Sequence, residues 1–333
     1  MGLDGFQSHE NEQSFLSAEP AKASSAAVNV TIVRNFKTEI TTSLNQSILE
    51  NATTIESSGG ISGMKFTGTG RVGDGMFVAG GEHSCAFLAD GTLWCWGNNR
   101  EGQVGDGGGG WGSRRRTSPR EVVLPTNISG LAVTAGEKHT CAVFDDGSIR
   151  CWGRNNNGQV GDNSTSDRNT PRNVSMPPGL NGIAVSGGND HTCGIMDDGS
   201  VWCWGQNDEL QVGVNGTTSN LTPVEVLMSG SLNATSLSAG GSHTCALLTN
   251  GSVACWGANE FGQLGVNTSS PLSLPVIVAL PSGHNATSIS SGGSHSCALL
   301  DNGSATCWGA NEQGQLGDGF RESSAHARHV NLS

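Results

Sequence analysis

Ten cysteines fall into five pairs of constant internal spacing: Cys85 with Cys95, Cys141 with Cys151, Cys193 with Cys203, Cys245 with Cys255, and Cys297 with Cys307. Successive first cysteines stand 56, 52, 52 and 52 residues apart, a period at which one supersecondary unit recurs because it cannot bury its apolar face alone. The chain is therefore a repeat protein, a propeller or a solenoid. Its fullest copy is GSHTCALLTNGSVACWGANEFGQLG, from Gly241 to Gly265.

Inside each pair, two short apolar runs meet at Asp-Gly or Asn-Gly: Asp90-Gly91, Asp146-Gly147, Asp198-Gly199, Asn250-Gly251 and Asn302-Gly303. This is a hairpin signal. A two-residue loop would pair Cys245 with Trp256 and leave the cysteines diagonal. A three-residue loop, Thr249-Asn250-Gly251, places Cys245 opposite Cys255 on a non-hydrogen-bonded rung, where side chains stand closest. The second register is the expected one, and with it five disulfides, each inside its own hairpin. In the loop-entropy account each contributes roughly 3 kcal/mol.

The chain has no tyrosine, 5% aromatic residues and 50 glycines in 333 residues. Large side chains to fill a core are scarce, so covalent staples make physical sense. The formal net charge of -12 argues against a nucleic-acid partner, which requires a basic footprint. Paired cysteines point to an oxidising compartment. So do fourteen Asn-x-Ser/Thr acceptors, at Asn29, Asn45, Asn51, Asn127, Asn163, Asn173, Asn215, Asn220, Asn233, Asn250, Asn267, Asn285, Asn302 and Asn331. The expectation is a glycosylated protein, secreted or at the cell surface. Met1 to Pro20 is polar and shows no apolar signal core, and no apolar run is long enough to span a bilayer.

Residues 1–70 are rich in Ser, Ala, Asn and Glu and read as a low-complexity spacer or stalk, with one short strand where Val28, Val30 and Ile32 alternate with polar residues. Residues 71–333 hold the repeats. A degenerate join, Arg71-Val72-Gly73-Asp74-Gly75, copies Gln103-Val104-Gly105-Asp106-Gly107. Each unit then runs in one order: a lead strand ending in glycine, His-(Ser/Thr)-Cys, the hairpin, Cys-Trp-Gly, Gln-(Val/Leu)-Gly, and a last strand such as Pro223 to Leu227. Four short strands per repeat make a propeller blade, so the fold class is all-β.

In this pattern, His, Asp-Gly and Trp-Gly-x-Asn-x-x-Gly-Gln-Leu-Gly in fixed order, residues 76–333 resemble the regulator of chromosome condensation repeat family. The fourth and fifth copies match best; the third departs at Leu210 and the fifth at Ala327. The resemblance implies a β-propeller whose ring usually has seven blades, against the five repeats counted here. A five-bladed ring, an incomplete ring and an open fragment all fit that count.

His83, His139, His191, His243 and His295 each precede a cysteine by two positions. Five equivalent copies are a scaffold pattern, since a catalytic centre needs one special place. They read as hydrogen-bonding braces, and no metal or cofactor site is expected. Trp96, Trp152, Trp204, Trp256 and Trp308 should pack between blades, on the opposite face of the strand from the disulfide. The first spacing alone is longer by four residues, owing to Gly107 to Arg116 (GGGGWGSRRR). Trp111, Arg114, Arg115 and Arg116 are therefore the candidate binding residues, because Trp and Arg most often anchor interfaces. With no unique nucleophile, base or metal set, the expected function is a non-catalytic protein-binding module. The alternatives are an inhibitor of a secreted enzyme and a guanine-nucleotide exchange factor for a small GTPase, both activities that the resembled family includes.

Overall fold

Cys245 stands directly opposite Cys255, and their Cα atoms are 4.1 Å apart. The amides of Leu248 and Gly251 donate to the carbonyls of Ser252 and Leu248, both at 2.9 Å, so the loop is the three residues Thr249-Asn250-Gly251. Gly251 closes it at φ +82°, a left-handed conformation that a side chain would strain. Asn250 Oδ1 accepts the Ser252 amide at 3.0 Å, which is why Asp or Asn precedes each of these glycines. The same cysteine register holds in the other four copies, and all five disulfides form.

The computed structural model describes residues 76–88, 90–108, 115–228 and 232–332. The expected spacer over 1–70, with its strand at Val28 to Ile32, and the join at 71–75 lie outside the described residues. Twenty strands are described, four to a blade. The first blade holds β1 (Met76–Ala79), β2 (His83–Phe87), β3 (Leu93–Asn98) and β4 (Arg115–Glu121). In the second are β5 (Gly130–Ala135), β6 (His139–Phe144), β7 (Ile149–Gly153) and β8 (Arg168–Asn173). The third has β9 (Gly182–Gly187), β10 (His191–Met196), β11 (Val201–Gly205) and β12 (Asn220–Val226). The fourth has β13 (Ala234–Ala239), β14 (His243–Leu248), β15 (Val253–Gly257) and β16 (Leu272–Ile277). The fifth has β17 (Ala286–Ser291), β18 (His295–Leu300), β19 (Ala305–Gly309) and β20 (Ser324–His329). Each blade is an antiparallel sheet in chain order. The lead strands of consecutive blades pack on one another, which makes them the inner strands and β4, β8, β12, β16 and β20 the outer ones.

The two faces of a blade have different jobs. Alternation along β14 and β15 sends Cys245 and Cys255 to the face that meets the fifth blade, where they share a core with Leu247, Leu264, Ile289, Leu300 and Trp308. Trp256 faces the other way, into the core built with Ile195, Val201 and Val212 of the third blade. Each of the first four disulfides therefore packs toward the tryptophan of the next blade. Four such cores join the five blades in series. At the two ends the pattern stops: Trp96 is half-buried while Trp152, Trp204, Trp256 and Trp308 are fully buried, and Phe77 and Leu299 are exposed. Among the described residues, the packed neighbours run from the first blade to the fifth.

The departure at Leu210 has a backbone consequence. Its equivalents Gly102, Gly158, Gly262 and Gly314 have φ between +78° and +89°, and Leu210 takes the same bend at φ +64°. A left-handed L residue costs roughly 1–2 kcal/mol, so Leu210→Gly is expected to stabilise the protein by about 1 kcal/mol despite the glycine's greater freedom when unfolded. Thermal unfolding followed by circular dichroism checks this, and an unchanged or lower midpoint contradicts it.

Candidate functional site

The recurring polar residues meet between blades. His83 Nε2 lies 2.8 Å from Thr140 Oγ1, Thr140 Oγ1 donates to the Gln103 carbonyl at 2.8 Å, and Trp152 Nε1 donates to that same carbonyl at 3.0 Å. The next junction repeats this with His139, Thr192, Gln159 and Trp204. The third uses His191, Thr244, Gln211 and Trp256, and the fourth uses His243, Ser296, Gln263 and Trp308. Because each hydroxyl gives its only proton to the glutamine carbonyl, the imidazole must donate from Nε2. That leaves Nδ1 as an unprotonated acceptor, and in His83, His139, His191 and His243 it is buried without a partner.

The indole also explains the glycine of Gln-(Val/Leu)-Gly. A Cβ on Gly105 would sit 2.6 Å from Trp152 Nε1, so only glycine admits the indole to the glutamine carbonyl. Together these contacts assign the histidines and tryptophans to the joints of the scaffold. Among the described residues, no group of three His, Cys, Asp or Glu side chains could hold a metal ion.

Burial pushes these imidazoles toward the neutral form: His83 falls from 6.5 to about 4, and His139, His191 and His243 to about 3. His295 has no blade beyond it in the described structure, and burial lowers it too. The unfolded chain binds protons below its ordinary histidine value while the folded chain does not, so this stability is complete above pH 6.5 and is lost as pH falls toward 4. Each buried histidine contributes a loss of about 1.4 kcal/mol per pH unit in that window. Unfolding midpoints measured from neutral to mildly acidic pH should fall steeply, and a flat profile would contradict the assignment.

The insertion is anchored at both ends by the scaffold. Gly107 exchanges hydrogen bonds with Asn169 of β8, its amide to the Asn169 carbonyl at 3.0 Å and its carbonyl to Asn169 Nδ2 at 2.8 Å. Asn99 Nδ2 donates to the Gly108 carbonyl at 2.9 Å. Trp111 and Arg114 lie outside the described residues. Arg115 opens β4 and is exposed. Arg116 has a structural partner that sequence reading did not supply: its guanidinium pairs with Asp106, with Nη2 3.2 Å from Oδ1. Burial alone would raise the Asp106 pKa, but Arg116 and the Gly108 amide hold it below the usual carboxylate value. Arg168 and Asp162 repeat the pair in the second blade at 2.6 Å. Thus Arg116 fastens the loop, and Arg115 is the candidate residue that the described structure leaves outward.

Other arginines escaped sequence reading because they lie outside the insertion. Arg120 and Arg172 are exposed on the outer strands β4 and β8. The signal that could have found them is their shared place in the repeat, which becomes visible once Arg120 is aligned with Cys95 and Arg172 with Cys151.

Sequence models of the regulator of chromosome condensation (RCC1) repeat match residues 77–103, 131–159, 183–211, 234–263 and 286–315, and longer segments at 146–195, 198–247 and 250–299. The chain belongs to this repeat family. It is 30% identical to the ultraviolet-B receptor UVR8 of Arabidopsis thaliana over 73% of the chain and 54% of that protein. To the human E3 ubiquitin-protein ligase HERC2 it is 28% identical over 72% of the chain and 5% of the ligase. The chain thus spans about half of the first relative and a small part of the second. Human WBSCR16 superposes with a TM-score of 0.68 at 23% identity, covering 75% of this chain and 65% of that one. Prp20p of Saccharomyces cerevisiae, described with its binding to Gsp1p and histones, gives 0.66 at 23% identity, covering 77% and 65%. These two likenesses establish the RCC1-type propeller fold.

Proposed function

We propose that the chain is a non-catalytic, secreted or cell-surface propeller that binds another protein through the loop interrupting its first blade. The observation that carries this reading is the scaffold's use of its recurring chemistry: the cysteines are consumed in staples and four of the five repeat histidines in inter-blade hydrogen bonds. What varies between blades is then the place to seek function. Family membership supports an interaction or regulatory module, and Prp20p is described as binding proteins.

The disulfides support an oxidising compartment. An exchange factor or a cytosolic regulator works where such bonds are reduced, so thiol state separates the readings. Mass spectrometry of the protein from its native source should find no free thiol before reduction and ten after it. Free thiols throughout would sink the extracellular reading.

For the binding site, the extracellular fraction is passed over the immobilised full chain. Replacing Trp111, Arg114 and Arg115 with alanine together is expected to weaken capture of the retained partner by about a hundredfold, the scale of one interface hot spot of ~2 kcal/mol or more. Unchanged affinity removes the loop from the site.

A further inference from the structure

The basic residues of this acidic chain are segregated. Residues 100–172 contain ten Lys or Arg and eight Asp or Glu, whereas residues 173–320 contain ten Asp or Glu and no Lys or Arg. With Glu82 and Asp90 of the first blade counted, residues 76–172 hold ten Lys or Arg and ten Asp or Glu, so the first two blades are net neutral while the next blades are acidic.

The fold sorts the arginines a second time. Arg116, Arg150, Arg154 and Arg168 each pair with an aspartate of the chain. Arg115, Arg120 and Arg172 are exposed, and none of them takes part in the ion pairs formed among the described residues. Arg120 stands opposite Cys95 and Arg172 opposite Cys151, the same rung of two neighbouring outer strands. On that rung the third and fourth blades carry Val224 and Val276. The hydrogen bonds between Gly107 and Asn169 tie the base of the loop to β8, so these arginines flank the place where the loop leaves the scaffold.

We infer that the outer rim of the first two blades docks an Asp/Glu-rich segment of a partner protein, with Arg115, Arg120 and Arg172 receiving its carboxylates. This rests on the reading of the chain as a protein-binding module and names the chemistry of its partner. A guanidinium presents a planar fork that matches a carboxylate. Within this molecule Arg116 of β4 already takes both carboxylate oxygens of Asp106 in that way, and Arg168 of β8 pairs with Asp162 through Nε. Recognition is through side chains, because Pro119 and Pro171 in β4 and β8 remove amides that a partner strand would need to extend the sheet. The acidic blades that follow repel the same segment and confine it to the basic rim.

The test uses the full chain and a fluorescein-labelled Asp/Glu-rich peptide, with binding read by fluorescence anisotropy at low and raised salt. A heparin-type sulfated oligosaccharide and a DNA duplex serve as competitors. Peptide binding is expected to weaken with salt and to drop by about tenfold for each of Arg115→Glu, Arg120→Glu and Arg172→Glu, the scale of a lost charge-assisted hydrogen bond. Thr218→Glu, at an exposed position in the third blade, should leave it unchanged. All four sites are exposed, and circular dichroism confirms that the variants fold. No peptide binding, equal binding by the arginine variants, or tighter binding of the oligosaccharide or duplex would each overturn the inference. If the captured partner is lost with Trp111→Ala but kept by all three arginine variants, the rim is wrong and the binding-module reading survives.

Discussion

A single backbone carbonyl, that of the glutamine in each Gln-(Val/Leu)-Gly segment, holds consecutive blades together. It accepts an indole N–H and a hydroxyl from the following blade, and the hydroxyl in turn accepts from the histidine of the glutamine's own blade. Two donors on one buried acceptor satisfy groups that would otherwise cost about 1–3 kcal/mol each if left unpaired. The arrangement recurs at four junctions, so one sequence motif fixes the spacing of the whole series. The glycine after the glutamine, the hydroxyl before the cysteine and the tryptophan after it all follow from that one contact.

Around this joint the core is thin. Trp, Leu, Val and Ile from facing blades fill each interface, but small residues such as Ala142, Ala246 and Ala298 occupy much of it. A hairpin with so few large side chains is marginal by itself. The disulfide across its non-hydrogen-bonded rung restricts the unfolded chain and presents a rigid apolar surface to the next tryptophan. Staple and joint are thus two halves of one packing solution. The scaffold is rigid where blades meet, which leaves variation to the loops and outer strands.

Electrostatics follows the same division. The interior histidines are kept neutral by burial, and the paired arginines lock loops to the strands that carry them. The charge that remains outward is distributed by blade, not by the repeat. That asymmetry cannot come from the architecture, which treats blades alike, and it is where the first two blades differ chemically from the rest.

The sequence by itself determined the period, the four-stranded blade, the hairpin register and the disulfide pairing, because each is set by contacts within about a dozen residues: Cys245 meets Cys255 through the geometry of one glycine-closed turn. It also placed the tryptophans between blades, through strand alternation. Tertiary structure decided which face meets which neighbour, for instance that the disulfide turns toward the next blade while Trp256 turns toward the previous one. It paired Arg116 with Asp106 and left Arg120 and Arg172 outward, although all are arginines on outer strands. Those outcomes depend on groups more than thirty residues apart, such as the Trp152 indole and the Gln103 carbonyl, or on which carboxylate a loop returns to a strand. Such distances become contacts only when the blades pack.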